Sequence, residues 1–147
     1  MSKKFNFKLE PVLKFRTEKV NRAKDSLSQA MRLRLDKEKQ IQNTLDLKKE
    51  MFGDGKKSVK ASDLHAVKSY IDNLDNEISK LENEKLQILE IENLRRQKLT
   101  VAMKDEKVLE KLKEKKLDFY NEEQKKEDTK FLDEISINGI NKGKSIN

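Results

Sequence analysis

The residues that could do chemistry are two glycine–lysine–serine strings, one histidine and a large set of carboxylates. Gly139-Ile140-Asn141-Lys142-Gly143-Lys144-Ser145 has the residue types of a phosphate loop, in which backbone amides and a lysine cradle phosphates. Three residues separate its glycines where that loop needs four, and only two residues follow Ser145, so no helix is expected behind it to supply amides. Gly53-Asp54-Gly55-Lys56-Lys57-Ser58 lacks both the spacing and a preceding strand. His65 stands alone. With one histidine and no cysteine, a zinc site or a Ser-His-Asp arrangement would need unusual help, His65 reads as a surface residue near a helix start, and disulfides are ruled out. The 27 Asp and Glu residues are scattered along helical faces, whereas paired catalytic carboxylates need a cleft. The expectation is a protein that is not an enzyme and takes no cofactor or metal.

The elements that must carry these residues are helices. Charged residues make up 41% of the chain and hydrophobic ones 34%, too few for a layered core but enough for a narrow seam between helices. Ala, Glu, Lys, Leu and Arg together supply about half of the chain, the composition of long helices or coiled coil. Leu13, Val20, Ala23, Leu27, Ala30, Met31, Leu35, Ile41, Leu45 and Phe52 recur at helical spacings, with a register slip near Ala30-Met31 and charges at Arg34, Lys37 and Glu38 close to the stripe. Gly53 and Gly55 mark a helix stop and turn, and Ser62 with Asp63 a new helix start. Leu64, Val67, Ile71, Leu74, Ile78, Leu81, Lys85, Ile88, Arg95, Leu99, Ala102, Leu109, Leu112, Tyr120, Phe131 and Ile135 continue the pattern to Ser136. The predicted fold is all-α: a long two-helix antiparallel coiled-coil hairpin with the second helix longer than the first. Its boundaries are an extended lead-in over 1–10, helix 1 over 11–52, a turn over 53–62, helix 2 over 63–136 and a flexible tail over 137–147.

A turn centred near Lys57 predicts partners whose residue numbers add to about 115, which sets Leu13 opposite Ala102 and Leu35 opposite Lys80-Leu81. Pro11 suits a first helical turn and biases Glu10 away from helix, leaving Phe5, Phe7 and Leu9 as the extended lead-in beside residues 106–110. Residues 109–135 extend beyond the first helix with Leu109, Leu112, Leu117, Phe119, Tyr120 and Phe131; Phe5 and Phe7 can cover only the start of that segment, and the rest is expected to form an interface.

Charge is distributed unevenly. The net charge is +7, and residues 1–52 hold 14 basic and 7 acidic groups while the rest of the chain is balanced. Residues 3–24 carry 8 basic and 2 acidic groups, residues 95–116 carry 9 and 4, and residues 72–92 carry 2 and 7. The expected hairpin is basic toward its termini and acidic in its middle, which suits an anionic partner there. No apolar run reaches the length of a membrane span and no signal-peptide core follows Lys3-Lys4, so a cytoplasmic protein without an integral membrane segment is expected.

Four segments resemble the FliJ family, the small soluble component of the bacterial flagellar type III export apparatus. They are Phe5-x-Phe7-x-Leu9 with Val12-Leu13-x-x-Arg16-x-Glu18; Tyr70-Ile71-x-Asn73-Leu74-Asp75-Asn76-x-Ile78; Leu109-Glu110-Lys111-Leu112-Lys113-Glu114-Lys115; and Leu132-Asp133-Glu134-Ile135-Ser136. The resemblance implies a two-helix coiled coil similar to the central stalk of rotary ATPases. It further implies three partners: the hexameric export ATPase, the cytoplasmic domain of the membrane export gate, and export chaperones. On this resemblance Phe5, Phe7, Leu9, Arg16, Leu109, Leu112 and Tyr120 belong to the ATPase-facing end, and Tyr70 and Leu74 to the gate-facing region. The implied location is the inner face of the cell membrane at the flagellar base. Two other readings compete: a basic coiled coil that binds nucleic acid or anionic membrane, and a purely structural spacer. The first predicts binding that falls steeply with salt and favours arginine and aromatics, whereas lysine dominates here and no nucleic acid is expected.

Overall fold

The computed structural model describes residues 4–54 and 61–146, with side chains over 4–53 and 63–140. It is the all-α two-helix hairpin: α1 spans Glu10–Asp54 and the longer α2 spans Ala61–Ile146, with no strand among the described residues. Contacts divide the chain into two units. One takes Met1–Glu18 and Met103–Asn147, and the other Lys19–Ala102.

Helix α1 begins one residue earlier than the proline suggested. The Leu13 amide donates to the Leu9 carbonyl at 2.9 Å, so Leu9 supplies the first helical acceptor and Glu10 is already in the helix. Pro11 sits in the first turn, where an N–H has no helical acceptor in any case. The lead-in is tied down by the Glu10 amide, which donates to the Phe7 carbonyl at 3.0 Å. At the other end Gly53 does not stop the helix: it lies within α1, and no described residue has a positive φ. A glycine inside a helix costs about 1 kcal/mol relative to alanine and forbids nothing. Asp54 ends α1, and α2 already begins at Ala61, so Ser62 lies inside the helix and not before it as expected; residues 55–60 of the expected turn lie outside the described residues. Residues 137–146, expected as a flexible tail, continue α2. No proline interrupts them.

Burial along α1 follows an unbroken heptad, with no slip at Ala30-Met31. Leu13, Val20, Leu27, Arg34, Ile41 and Lys48 are buried or half-buried at intervals of seven, as are Arg16, Ala23, Ala30, Lys37, Thr44 and Met51 three residues on. Leu35 and Phe52, expected in the seam, are 53% and 58% exposed, and Leu45 is exposed too. The seam stays in phase by accepting Arg34, Lys37, Thr44 and Lys48 instead of shifting toward nearby leucines. Helix α2 does the same. Val67, Leu74, Leu81, Ile88, Arg95, Ala102 and Leu109 form one row, and Ile71, Ile78, Lys85, Glu92 and Leu99 form another.

Each polar seam residue finds a partner. In the Lys19–Ala102 unit, Arg34 Nε donates to Glu92 Oε2 at 2.7 Å, with the Glu92 side chain only 5% exposed. Arg34 also meets Glu38 and Arg96 meets Glu92, while Lys85 reaches Glu38 at 3.4 Å. Lys37 binds Glu84 at 2.6 Å, Lys48 binds Asp75 at 2.7 Å, and Arg95 donates to the Ser26 carbonyl at 2.7 Å. Thr44 Oγ1 donates back to the Gln40 carbonyl within its own helix.

These partners correct the register. Their residue numbers add to between 121 and 126, about one heptad beyond the expected 115. A shift of seven leaves the apolar rows facing each other, so apolar pattern alone does not choose between the two alignments. Charge does. At 115 Arg34 would face Leu81 and Glu92 would face Ala23, leaving both ions without a partner across the seam.

Candidate functional site

The residues expected at the ATPase-facing end all lie in the Met1–Glu18/Met103–Asn147 unit. Phe7, Leu13 and Leu109 form a buried cluster at 4%, 8% and 6% exposure, and half-buried Phe5 and Leu112 pack against it. The Phe5 ring lies 5.6 Å from the Tyr120 ring, tilted by 52°, within the range of favourable aromatic pairs. Two polar contacts flank the cluster. Arg16 donates to the Asp105 carbonyl at 2.7 Å. Lys113 Nζ approaches Glu10 Oε2 at 2.8 Å as an ion pair off the hydrogen-bonding directions. Pairing a lysine with a carboxylate and an arginine with a carbonyl is how this basic end is accommodated.

This arrangement answers what Phe5-Asn6-Phe7-Lys8-Leu9 does. The segment lays alternate side chains back onto α2, and Leu9, 38% exposed, is the one that remains outside. Phe5 and Phe7 cover the start of the segment that outlasts α1, as expected, and Leu13 joins them over Leu109 and Leu112. The unpartnered apolar surface begins further along. Beyond Gln124 every described side chain of α2 is exposed, including Phe131 at 63%, Leu132 at 62% and Ile135 at 51%. Leu117, Phe131 and Ile135 fall on the helical side that carries Tyr120, so the apolar row outlasts the chain that covers it. Beside the lead-in, Lys4, Lys115, Lys116, Phe5, exposed Phe119 and Tyr120 line an open groove of about 610 Å³. Phe119, expected among the interface residues, is 65% exposed here.

Tyr70 and Leu74 belong to the other unit and differ sharply. Tyr70 is 41% exposed, and Leu74 is a seam residue at 5%. A partner at this place therefore meets Tyr70 and not Leu74.

The carboxylates of the seam are tuned by their cations. The hydrogen bond from Arg34 holds Glu38 below the usual carboxylate range, and that from Lys37 does the same for Glu84, against opposing desolvation. Arg34 is raised, chiefly by its bond to Glu92. The Arg34–Glu92 and Lys37–Glu84 ion pairs join the two helices. Among the described residues no group of three or more His, Cys, Asp or Glu is placed to hold a metal, and no helix is long and apolar enough to cross a membrane.

Comparison with known families places this geometry. A family model described as Flagellar FliJ protein matches residues 5–145, nearly the whole chain, including the lead-in, both seam helices and the exposed part of α2. No curated protein and no solved structure shows a significant match.

Proposed function

The chain belongs to the flagellar FliJ protein family, a non-catalytic component of the flagellar export apparatus, and on that premise we propose that it is the stalk and adaptor of that machine. The end built by its lead-in and α2 engages the ring of the hexameric export ATPase and stimulates it. The exposed side of Tyr70 contacts the cytoplasmic domain of the export gate, and export chaperones are further partners. The protein works in the cytoplasm at the inner face of the membrane, at the flagellar base.

One observation carries the reading: α2 continues past its cover with Phe131, Leu132 and Ile135 open to solvent. A contiguous apolar row of this kind marks an interaction surface. Affinity comes from covering it, while Lys4, Lys115 and Lys116 beside the lead-in guide approach to an acidic ring interior.

The test measures ATPase stimulation by Phe131→Ala with Ile135→Ala. Both side chains are exposed, so the fold is untouched. Losing about 1.5 kcal/mol or more of apolar contact weakens binding at least tenfold, and stimulation at limiting concentration drops accordingly. Full stimulation by the folded variant would refute the placement of this end in the ring.

A further inference from the structure

A second surface lies in the Lys19–Ala102 unit, on the flank of the seam, where an open groove of about 700 Å³ runs between α1 and α2. Its floor exists because two seam positions are small. Ala23 on α1 and Ala102 on α2 stand where longer side chains would close the space. One wall is Leu94 and Val101, seven residues apart on α2 and 60% and 57% exposed. Each sits one residue before a seam position, Arg95 or Ala102, so they face outward along the seam's edge. Every ionisable side chain lining the groove is a cation: Lys19, Arg22 and Lys98.

We propose that this groove binds an amphipathic helix of a partner protein whose apolar face is flanked by Glu and Asp. The spacing sets the first requirement. Two anchors seven residues apart along a helix match another helix that presents apolar side chains at i, i+3 or i+4, and i+7, which turns the two-helix seam into a local three-helix one. The rim sets the second. Acidic residues beside the apolar face of the incoming helix meet Lys19 and Lys98, while lysines there would meet like charge. The proposal does not depend on insertion into the ATPase ring, since the groove and the exposed end of α2 belong to different units.

The experiment uses the full chain and two synthetic 21-residue helical peptides with leucine at the a and d positions. One carries glutamate at the flanking positions and the other lysine, and binding is read by fluorescence anisotropy. The acidic peptide binds saturably at low salt and the basic one does not. Leu94→Gln with Val101→Gln weakens the acidic peptide at least tenfold, and Lys98→Glu weakens it about as much. Phe131→Ala with Ile135→Ala leaves it unchanged. Equal binding of the two peptides overturns the proposal, as does acidic binding indifferent to Leu94 and Val101. So does self-association of the chain, seen by sedimentation, that disappears with Leu94→Gln and Val101→Gln, because the occupant would then be a second copy.

Discussion

Replacing Phe7 with alanine separates the docking of the lead-in from everything else the chain does. The ring is 4% exposed and packs with Leu13 and Leu109, so truncation opens a hole in a cluster of five apolar side chains. Phe→Ala in an enclosed core costs about 3–5 kcal/mol. Here the cluster is small and the lead-in is free to collapse inward, which sets the value near 3 kcal/mol. That corresponds to a rise of roughly 150-fold in the population with the segment undocked. The reporter is the Glu10 amide, whose acceptor is the Phe7 carbonyl itself. Its hydrogen exchange should accelerate by about two orders of magnitude. Helical amides around Leu109 should change far less, because their bonds lie within α2. Glu10 exchange within about threefold of the parent would refute the claim that Phe7 holds the lead-in down.

Three further outcomes follow from the geometry. Arg34→Met or Glu92→Leu alone should lower the melting temperature, because each takes the cross-seam partner from a charge left with only its neighbour one turn away, and the two together should recover most of the loss; a double variant as damaged as the sum of the singles would contradict this. Glu38 and Glu84 are held below their unfolded values, so the stability they contribute is present above about pH 4.3 and is lost as pH falls through the lowered folded values. Thermal melts between pH 7 and pH 2.5 should show that acid loss shrinking in Glu38→Gln with Glu84→Gln, and an undiminished loss would count against the assignment. Leu74→Ala should lower the melting temperature while Tyr70→Ala leaves it nearly unchanged and weakens binding to the export-gate domain; a large melting shift from Tyr70→Ala would place that ring in the core.

Helix type, element order and most of the α2 seam are legible in the sequence because leucine and isoleucine recur at Leu74, Ile78, Leu81 and Ile88 with little competition. The α1 seam is less so. Following apolar residues alone leads from Ala30 to Leu35 and Leu45, and the heptad passes instead through Arg34, Lys37 and Thr44. Those positions are identified only by their partners, Glu92 above all, and partners depend on a register that periodicity leaves undetermined by multiples of seven. The same limit hid one part of the cover over Leu109: the expected register sets the lead-in beside it but puts Leu13 opposite Ala102. The lead-in was legible for a different reason, since Phe5, Phe7 and Pro11 are conspicuous in so polar a chain.

The antiparallel pairing also dictates an order of assembly. Partners in the Lys19–Ala102 unit are separated by 47, 58 and 69 residues at Lys37–Glu84, Arg34–Glu92 and Ser26–Arg95. In the other unit Arg16 and Asp105 are 89 apart, and Phe5 and Tyr120 are 115 apart. Closing the longest of these directly costs about 0.8 kcal/mol more chain entropy than closing the shortest, so pairing is expected to start near residues 48 and 75 and zip outward. On a ribosome the lead-in is made first and docks last, waiting for more than a hundred residues to emerge before its partner exists. The surface assigned to the ATPase ring is thus the final part of the chain to form. A nascent chain truncated before Leu109 should leave Phe7 exposed to protease while Arg34 and Glu92 are already paired, and early protection of Phe7 would rule this order out.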